Sequence, residues 1–383
     1  MKSAHHYLAI DLLRIFAATL VLLNHFATFA GEAASVVDTN QAKFGFLSAF
    51  AGVGAVGVEI FFVISGFVIA VSAAGKGGLS HSIQFARLRA LRILPALWIS
   101  ALISLAVRSA YGEDMSSLSM DFFRSVILSP KGPYIDGVVW SLVVEMIFYA
   151  LIALSIMSRF RVSIHGVAIA LGICSSIYIT SLFFLVVARP PIFAVDLIAI
   201  LSRFHFKILL LQHGVFFASG MLLFRLNDDR QSFRRTRMTS LMGFFLAMGA
   251  LEILLSIDRS YPYKIAAAGI WALSVIAIIL NVVAQNAVNS RLIAYGRAIK
   301  FSGRLSYPLY LNHYASGMII VWFVSSYGVS APVCFGISLL AVLILSLAVL
   351  WLEGKIQHQA KAGFTIRHLL RRPIVPATTL ASG

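Results

Sequence analysis

The chain has 383 residues, of which 60% are hydrophobic and 12% charged, and its formal net charge at pH 7 is +16. Soluble domains carry about 25% charged residues, so the composition excludes a soluble protein and predicts a polytopic membrane protein. The positive charges lie between apolar segments, where they orient membrane proteins, so they do not indicate a nucleic-acid partner.

Ten apolar segments are long enough to cross about 30 Å of hydrocarbon. They lie at 7–29, 53–73, 93–110, 137–157, 165–187, 207–225, 239–257, 264–284, 307–327 and 332–352. The run Ile192–Leu201 is too short to span and is typical of a surface or re-entrant piece. The sequence therefore predicts an all-α fold, with a transmembrane domain at 1–352 and a short basic tail at 353–383.

The connecting segments predict the orientation of the chain. Lysine and arginine are concentrated in the segments on the side that both termini share. Because positive loops stay in the cytoplasm, both termini are expected there. The chain has two cysteines, both in apolar stretches, and the sequence contains no CxxC or HExxH pattern, so no bound metal is expected.

The first span contains Arg14 and His25, eleven positions apart. At about 100° per residue both project from one helix face, about 16 Å apart along the axis. An arginine at mid-bilayer costs about 2.5–3.5 kcal/mol, which indicates a functional role. The alternative is a structural network, since Asp11 can neutralise Arg14. His25 needs a partner from another helix and could act as a general base.

Three glycines, Gly52, Gly54 and Gly57, match the GxGxxG pattern of dinucleotide-binding folds. That fold requires a preceding strand, which an apolar membrane segment does not supply. Close packing of membrane helices explains the glycines better. Glu59 follows near the end of the second span, where an interfacial position and a site role are about equally expected.

A basic cluster of Arg87, Arg89 and Arg92 precedes Pro95 at the predicted start of the third span. Arginines at this position anchor many membrane proteins on the cytoplasmic side. Guanidinium groups also match phosphate oxygens, so the cluster could instead clamp a phosphorylated ligand. The spacing alone leaves both interpretations open.

The fourth span contains Ser141, Glu145 and Tyr149 at four-residue intervals, which predicts a polar stripe on one helix face. A buried glutamate requires a partner, such as His25 or an arginine. A structural ion pair is the alternative to a catalytic role.

The ninth predicted span begins with the segment Ser306–His313. Pro308 suits the first turn of a helix. A lone histidine such as His313 is more often structural than catalytic near a membrane interface.

Together, these segments resemble the motifs of the acyltransferase-3 family of membrane acyltransferases. The motifs occur in family order as Asp11-Leu-Leu-Arg14 with His25, Gly57-Val-Glu59 to Ser65-Gly66-Phe67, Arg89-Ala-Leu-Arg92-Ile-Leu-Pro95, Trp140-Ser-Leu-Val-Val-Glu145-Met-Ile-Phe-Tyr149 and Ser306-Tyr307-Pro-Leu-Tyr310-Leu-Asn-His313. Many relatives read Asp-Gly-x-Arg-Gly in the first span, whereas this chain has Leu12, and Ile15 followed by Phe16. The chain is more similar to stand-alone members that modify exopolysaccharide or lipopolysaccharide.

The resemblance implies an enzyme of the bacterial cytoplasmic (inner) membrane that moves an acyl group, most often acetyl, from acyl-CoA to a carbohydrate hydroxyl. His25 would be the general base or a transient acyl carrier, Arg14 would orient the donor or stabilise the oxyanion, and Glu145 would fix the imidazole tautomer. The remaining expected site residues are Arg87, Arg89 and Arg92 for acyl-CoA, and Glu59, Ser141, Tyr149 and His313 for the substrate. A secondary transporter or flippase that uses the buried Arg, His and Glu is the alternative.

Overall fold

The computed structural model describes residues 7–33, 44–74, 77–158, 163–187, 192–201, 203–224, 232–256 and 261–370. Within these ranges the chain is all-helical, as predicted, and contains no strand. The α-helices are α1 (Leu8–Ala33), α2 (Gly57–Ala73), α3 (Leu79–Ala110), α4 (Met115–Val126), α5 (Val139–Met157), α6 (Ile164–Val187), α7 (Ile192–Leu201), α8 (Phe204–Ile208), α9 (Gly214–Leu223), α10 (Ser232–Ser256), α11 (Tyr261–Val283), α12 (Gln285–Leu292), α13 (Gly296–Asn312), α14 (Ala315–Ser325) and α15 (Ala331–Leu370).

Eight of the helices in the described ranges are long and apolar enough to cross a membrane, so the chain is a multi-pass membrane protein. Two of the ten predicted spans are not single helices in the structure. Each is divided into a pair of shorter helices. Segment 207–225 is divided between α8 and α9 by a turn in which Leu210 has a φ of 59°. Segment 307–327 is divided between α13 and α14 after Asn312.

Each of the two breaks places a histidine where the helix is interrupted. His213 immediately precedes α9, and His313 immediately follows α13. Irregular backbone at membrane depth is tolerated only where protein surrounds it or a cavity adjoins it. Both histidines are almost completely buried, which agrees with that condition.

Two prolines lie inside helices rather than at the predicted helix starts. Pro308 lies well inside α13, and Pro95 lies inside α3, which begins before the predicted span. Proline lacks an N–H group, so Pro95 cannot bond to the carbonyl of Leu91 four residues earlier. The Nε2 atom of Gln357 on α15 donates to that carbonyl at 3.2 Å. This bond joins α15 to α3. Helix α15 extends past residue 352, after which the tail was expected to begin.

The GxGxxG glycines lie at the crossing of α1 and α2. A Cβ atom on Gly54 would lie 2.2 Å from the carbonyl oxygen of Leu20, and one on Gly57 would lie 2.4 Å from that of Ala17. Both distances are far below van der Waals contact with backbone that cannot move aside. The glycines thus allow close helix approach, as the sequence predicted, and this contact fixes α1 against α2.

Replacing Gly57 with alanine should destabilise the protein, because the added methyl group must separate α1 from α2. Overpacking of this kind costs about 1–3 kcal/mol. The matched control is Gly269→Ala, since a Cβ at Gly269 on α11 would meet no atom within 4 Å. The melting temperature in detergent can be measured from the loss of monodisperse protein on heating. It should be lower than that of the wild type for Gly57→Ala but not for Gly269→Ala. Equal melting temperatures would contradict this packing role.

Helix α1 lies inside the bundle, where it packs against α2, α11, α13 and α14. Leu12 and Phe16, the bulky residues that flank Arg14 in this chain, are 37% and 43% exposed. They lie on the outward face of α1, so they do not narrow the space around Arg14.

Candidate active site

The inward face of α1 carries both Arg14 and His25, as predicted. Tyr7, Asp11 and Arg14 line a cavity of about 500 Å³ near the start of α1. Val21 and His25 line a second cavity, of about 180 Å³, near its end. The charged pair is therefore confirmed on one face, but each member lies at a different cavity.

The larger cavity, termed the cationic cavity, combines charges from four helices. Its ionisable lining comprises Asp11, Arg14, Arg92, Lys300, Arg304 and Glu353. Four cations face two carboxylates, so the walls carry a net positive charge. The sequence indicated Lys300 and Arg304 only as cytoplasmic positive charges. Their place in the wall depends on α13 lying beside α1 and α15, which no local pattern shows.

Only one arginine of the predicted cluster lines the cationic cavity, and that residue is Arg92. The Arg89 guanidinium carbon instead lies 5.5 Å from the ring centroid of Phe85 and 5.9 Å from that of Tyr149. Arg87 is exposed and lies outside this cavity's lining. The structure therefore does not bring Arg87, Arg89 and Arg92 together as one clamp, because their spacing on the helix turns the three side chains in different directions.

A smaller middle cavity, of about 80 Å³, continues from the cationic cavity and shares Arg14, Arg92 and Tyr307 with it. Glu145 lies in its wall. An Oε atom of Glu145 accepts hydrogen bonds of 2.5 Å from Ser65 Oγ and 2.5 Å from the Tyr149 hydroxyl. Glu145 also attracts the charge of Arg14, which reduces the cost of burying that arginine.

Ser141, the first member of the predicted stripe, lies at the other end of the middle cavity. Its Oγ lies 2.7 Å from the hydroxyl of Tyr310, and it donates to the Val138 carbonyl at 3.0 Å. Tyr310 lines both the middle cavity and the cavity at His25. This hydroxyl pair therefore stands between the two spaces.

His25 is bonded to His313, not to Glu145 as the sequence suggested. The Nδ1 atom of His25 lies 2.7 Å from Nε2 of His313, and the two rings stack at a centroid distance of 4.9 Å. Glu145 bonds to Ser65 and Tyr149 instead, because its position on α5 faces the middle cavity. His313 was expected to bind substrate. In the structure its side chain is fully buried and contacts His25 instead.

The backbone around His313 determines the tautomer of His25. Nδ1 of His313 lies 2.8 Å from the carbonyl oxygen of Tyr310, which can only accept, so this nitrogen carries the proton. In the neutral ring, Nε2 of His313 is then an acceptor, and Nδ1 of His25 must donate to it. The proton-accepting nitrogen of neutral His25 is consequently Nε2.

Asp136 holds the backbone that follows His313. Its carboxylate accepts from the backbone N–H of Ala315 at 2.9 Å and from that of Val138 at 3.1 Å. Burial raises the pKa of Asp136 to about 6, although both backbone N–H groups favour the ionised form. The first contact satisfies an N–H at the start of α14, so the helix break after His313 is stabilised from the loop before α5.

The cavity at His25, termed the histidine cavity, contains Glu59 as well. Further polar and aromatic residues in its wall are Trp140, Lys207, Gln212, His213, Glu252 and Ser256. His213 and Glu252 were not predicted as site residues from the sequence. Their signal was a histidine and a glutamate within the sixth and seventh predicted spans, where such residues are rarely without a role.

The three cavities form a series along α1. The cationic and middle cavities share lining residues, and the middle and histidine cavities share Val58 and Tyr310. An anionic ligand suits the first space, a narrow chain the second, and proton transfer at His25 Nε2 the third. Of the expected site residues, Arg14 and Arg92 line both the cationic and the middle cavity. The middle cavity also contains Glu145, Ser141 and Tyr149, and the histidine cavity contains His25 and Glu59.

Comparison with family models gives one match: a model described as an acyltransferase domain matches residues 7–352. The matched range includes Arg14, His25, Glu145 and His313, and it extends through most of α15. No curated protein and no solved structure matches the chain.

Proposed function

We propose, from the premise that this chain belongs to the acyltransferase-3 family, that it transfers an acetyl group from acetyl-CoA to a hydroxyl of an exported or cell-surface carbohydrate. The chain is a multi-pass membrane acyltransferase. We further propose that the donor is acetyl-CoA, that the acceptor is a carbohydrate, and that the protein lies in the bacterial cytoplasmic membrane with both termini in the cytoplasm. Membership of an acyltransferase family favours this function over a secondary transporter or flippase.

The order of the three adjoining cavities, which share lining residues, carries the proposal. A thioester donor has a polyanionic head and a long, narrow arm that ends in the reactive carbonyl. The cationic cavity suits the head, since guanidinium groups bind phosphate oxygens in a bidentate manner. The middle cavity suits the arm, and the shared Tyr310 marks the point where the thioester would meet the histidine cavity.

Arg14 is assigned to the donor head and not to the oxyanion. It lies about 16 Å along α1 from His25, too far for both side chains to act on one carbonyl group. The hydroxyl of Tyr310, which lines both the middle and histidine cavities, is better placed as a donor to the oxyanion, and it would turn its proton from Ser141 Oγ to do so.

The proposed transfer is direct. Nε2 of His25 takes the proton of the acceptor hydroxyl as its oxygen attacks the thioester carbonyl carbon. The carbon–sulfur bond breaks, and the departing CoA thiolate receives the proton from the imidazolium. The products are an ester and CoA thiol. His313 keeps the proton-accepting nitrogen of His25 at Nε2 throughout.

The experiment that tests this function uses the purified protein in lipid nanodiscs with acetyl-labelled acetyl-CoA and surface glycans from cells that lack the protein. Mass spectrometry of the glycan should show an acetyl increment, with release of an equal amount of CoA thiol. Glycans that gain no acyl group in the presence of folded, monodisperse protein would contradict the proposal.

Arg92→Ala should raise the KM for acyl-CoA about tenfold or more, because it removes a charge-assisted contact with the phosphates. Arg87→Ala is the matched control, since Arg87 is an exposed arginine on the same helix outside the cationic cavity. Initial rates over a range of acyl-CoA concentrations would measure both. An unchanged KM in Arg92→Ala would assign that residue to anchoring.

A further inference from the structure

A second group of ionisable side chains lies beside His25 and is not used in the proposed transfer. Glu59 on α2, His213 before α9 and Glu252 on α10 each offer a ligand atom, and these atoms all lie within 4.8 Å of one another. All three side chains line the histidine cavity. We propose that they bind a divalent transition-metal ion of the zinc type.

Two members of this cluster, His213 and Glu252, have buried polar atoms without a hydrogen-bond partner in the described part of the chain. Among the described residues, neither ring nitrogen of His213 has a hydrogen bond, and the same holds for Oε2 of Glu252. Both residues are 2% exposed. Leaving a buried polar atom without a partner is costly, so the unpartnered atoms of His213 and Glu252, whose side chains offer ligand atoms within 4.8 Å of each other, indicate a missing ligand.

The other oxygen of Glu252 is already held in place. Oε1 of Glu252 accepts from Gln212 Nε2 at 2.8 Å and from Ser256 Oγ at 2.5 Å. These bonds fix the carboxyl group and leave Oε2 to bind an ion, which is the usual arrangement around a metal-binding carboxylate. Rings of Phe62, Trp140 and Phe216 surround His213 and fix its imidazole.

The local charge also favours a cation. Two carboxylates face one lysine, Lys207, and its Nζ lies 5.0 Å from the ring centroid of Trp140. Among the described residues Lys207 forms no ion pair with Glu59 or Glu252, so it does not saturate them. Carboxylate and imidazole ligands suit Zn²⁺ and its neighbours. Bond lengths of 2.0–2.2 Å place ligand atoms about 3.4 Å apart, so side-chain shifts of about 1 Å would complete the site.

A metal ion here would serve the acceptor. Three protein ligands leave a coordination position open, as in catalytic zinc sites. An acceptor hydroxyl in that position would lose its proton to His25 Nε2 more readily, since the ion stabilises the developing alkoxide. This role rests on the proposed function, whereas metal binding itself does not.

The test is metal binding by the full-length protein purified in detergent and freed of metal with a chelator. Equilibrium dialysis against Zn²⁺, followed by elemental analysis, should give about one equivalent in the wild type. Glu59→Gln, His213→Gln and Glu252→Gln should each weaken binding at least tenfold. Glu353→Gln, which alters a carboxylate of the cationic cavity, is the matched control and should bind like the wild type.

Two further measurements keep the proposal falsifiable if a variant folds poorly. Co²⁺ should give visible absorption of a low-symmetry site in the wild type and not in Glu252→Gln. Lys207→Gln should bind Zn²⁺ more tightly, because a repelling charge is removed. A wild type that binds no ion, or binding that survives all three glutamine substitutions, would overturn the metal site and leave the acyltransferase proposal to its own assay.

Discussion

Replacing His25 with alanine is expected to lower kcat for acyl transfer by at least about 10²–10⁴-fold, the usual contribution of a general base. The imidazole lines the cavity that adjoins the end of the proposed donor path, and its proton-accepting nitrogen is Nε2. Binding of acyl-CoA should change little, because the cationic cavity lies near the other end of α1. The measurement is the single-turnover rate at saturating donor.

The control for this result is His358→Ala. His358 is an exposed histidine on α15 that lies outside all three cavities of the site. It should retain full activity, and both variants should remain monodisperse in detergent. A His25→Ala protein that folds and transfers at the wild-type rate would remove His25 from the mechanism.

His313→Ala is expected to lower kcat about 10–100-fold, the size of effect typical of residues that orient an active group through a hydrogen bond. His313 is a positioning residue. Its Nε2 atom accepts a hydrogen bond of 2.7 Å from Nδ1 of His25, and its own ring is fixed by the Tyr310 carbonyl. The KM for the donor should stay constant. The pH dependence of kcat should also move, since the tautomer of His25 is no longer held.

Glutamine at position 313 separates positioning from packing. Its amide can accept from His25 and donate to a backbone carbonyl, so His313→Gln should recover much of the activity that alanine loses. Equal loss in His313→Ala and His313→Gln, with an unchanged pH profile, would show that His313 only fills space.

Local sequence was sufficient to predict features that lie within one helix. The eleven-residue spacing placed Arg14 and His25 on one face because helical periodicity leaves no alternative. The glycines at 54 and 57 indicated a close helix crossing for a similar reason, since small residues in an apolar span have few other uses. The all-helical fold followed from the composition.

Features that depend on contacts between helices could not be predicted. The sequence suggested Glu145 as a partner of His25, and only the packing of α1 against α13 places His313 there instead. The breaks before α9 and after α13 were missed because apolar residues on both sides of Gln212-His213 and of Asn312-His313 make each segment long enough to span. His213 and Glu252 are far apart in sequence, so their meeting beside Glu59 has no local pattern.

In the proposed transfer, the donor enters at the cationic cavity and the acceptor meets it at His25, near the opposite end of α1. A sided assay in sealed proteoliposomes tests this arrangement. Protein oriented by a C-terminal tag receives labelled acyl-CoA only on the tag side, where α15 lines the cationic cavity. Acceptor glycan is present only on the other side. The account predicts labelled glycan with wild-type protein and none with His25→Ala. Label that appears only when donor and acceptor share one side would contradict it.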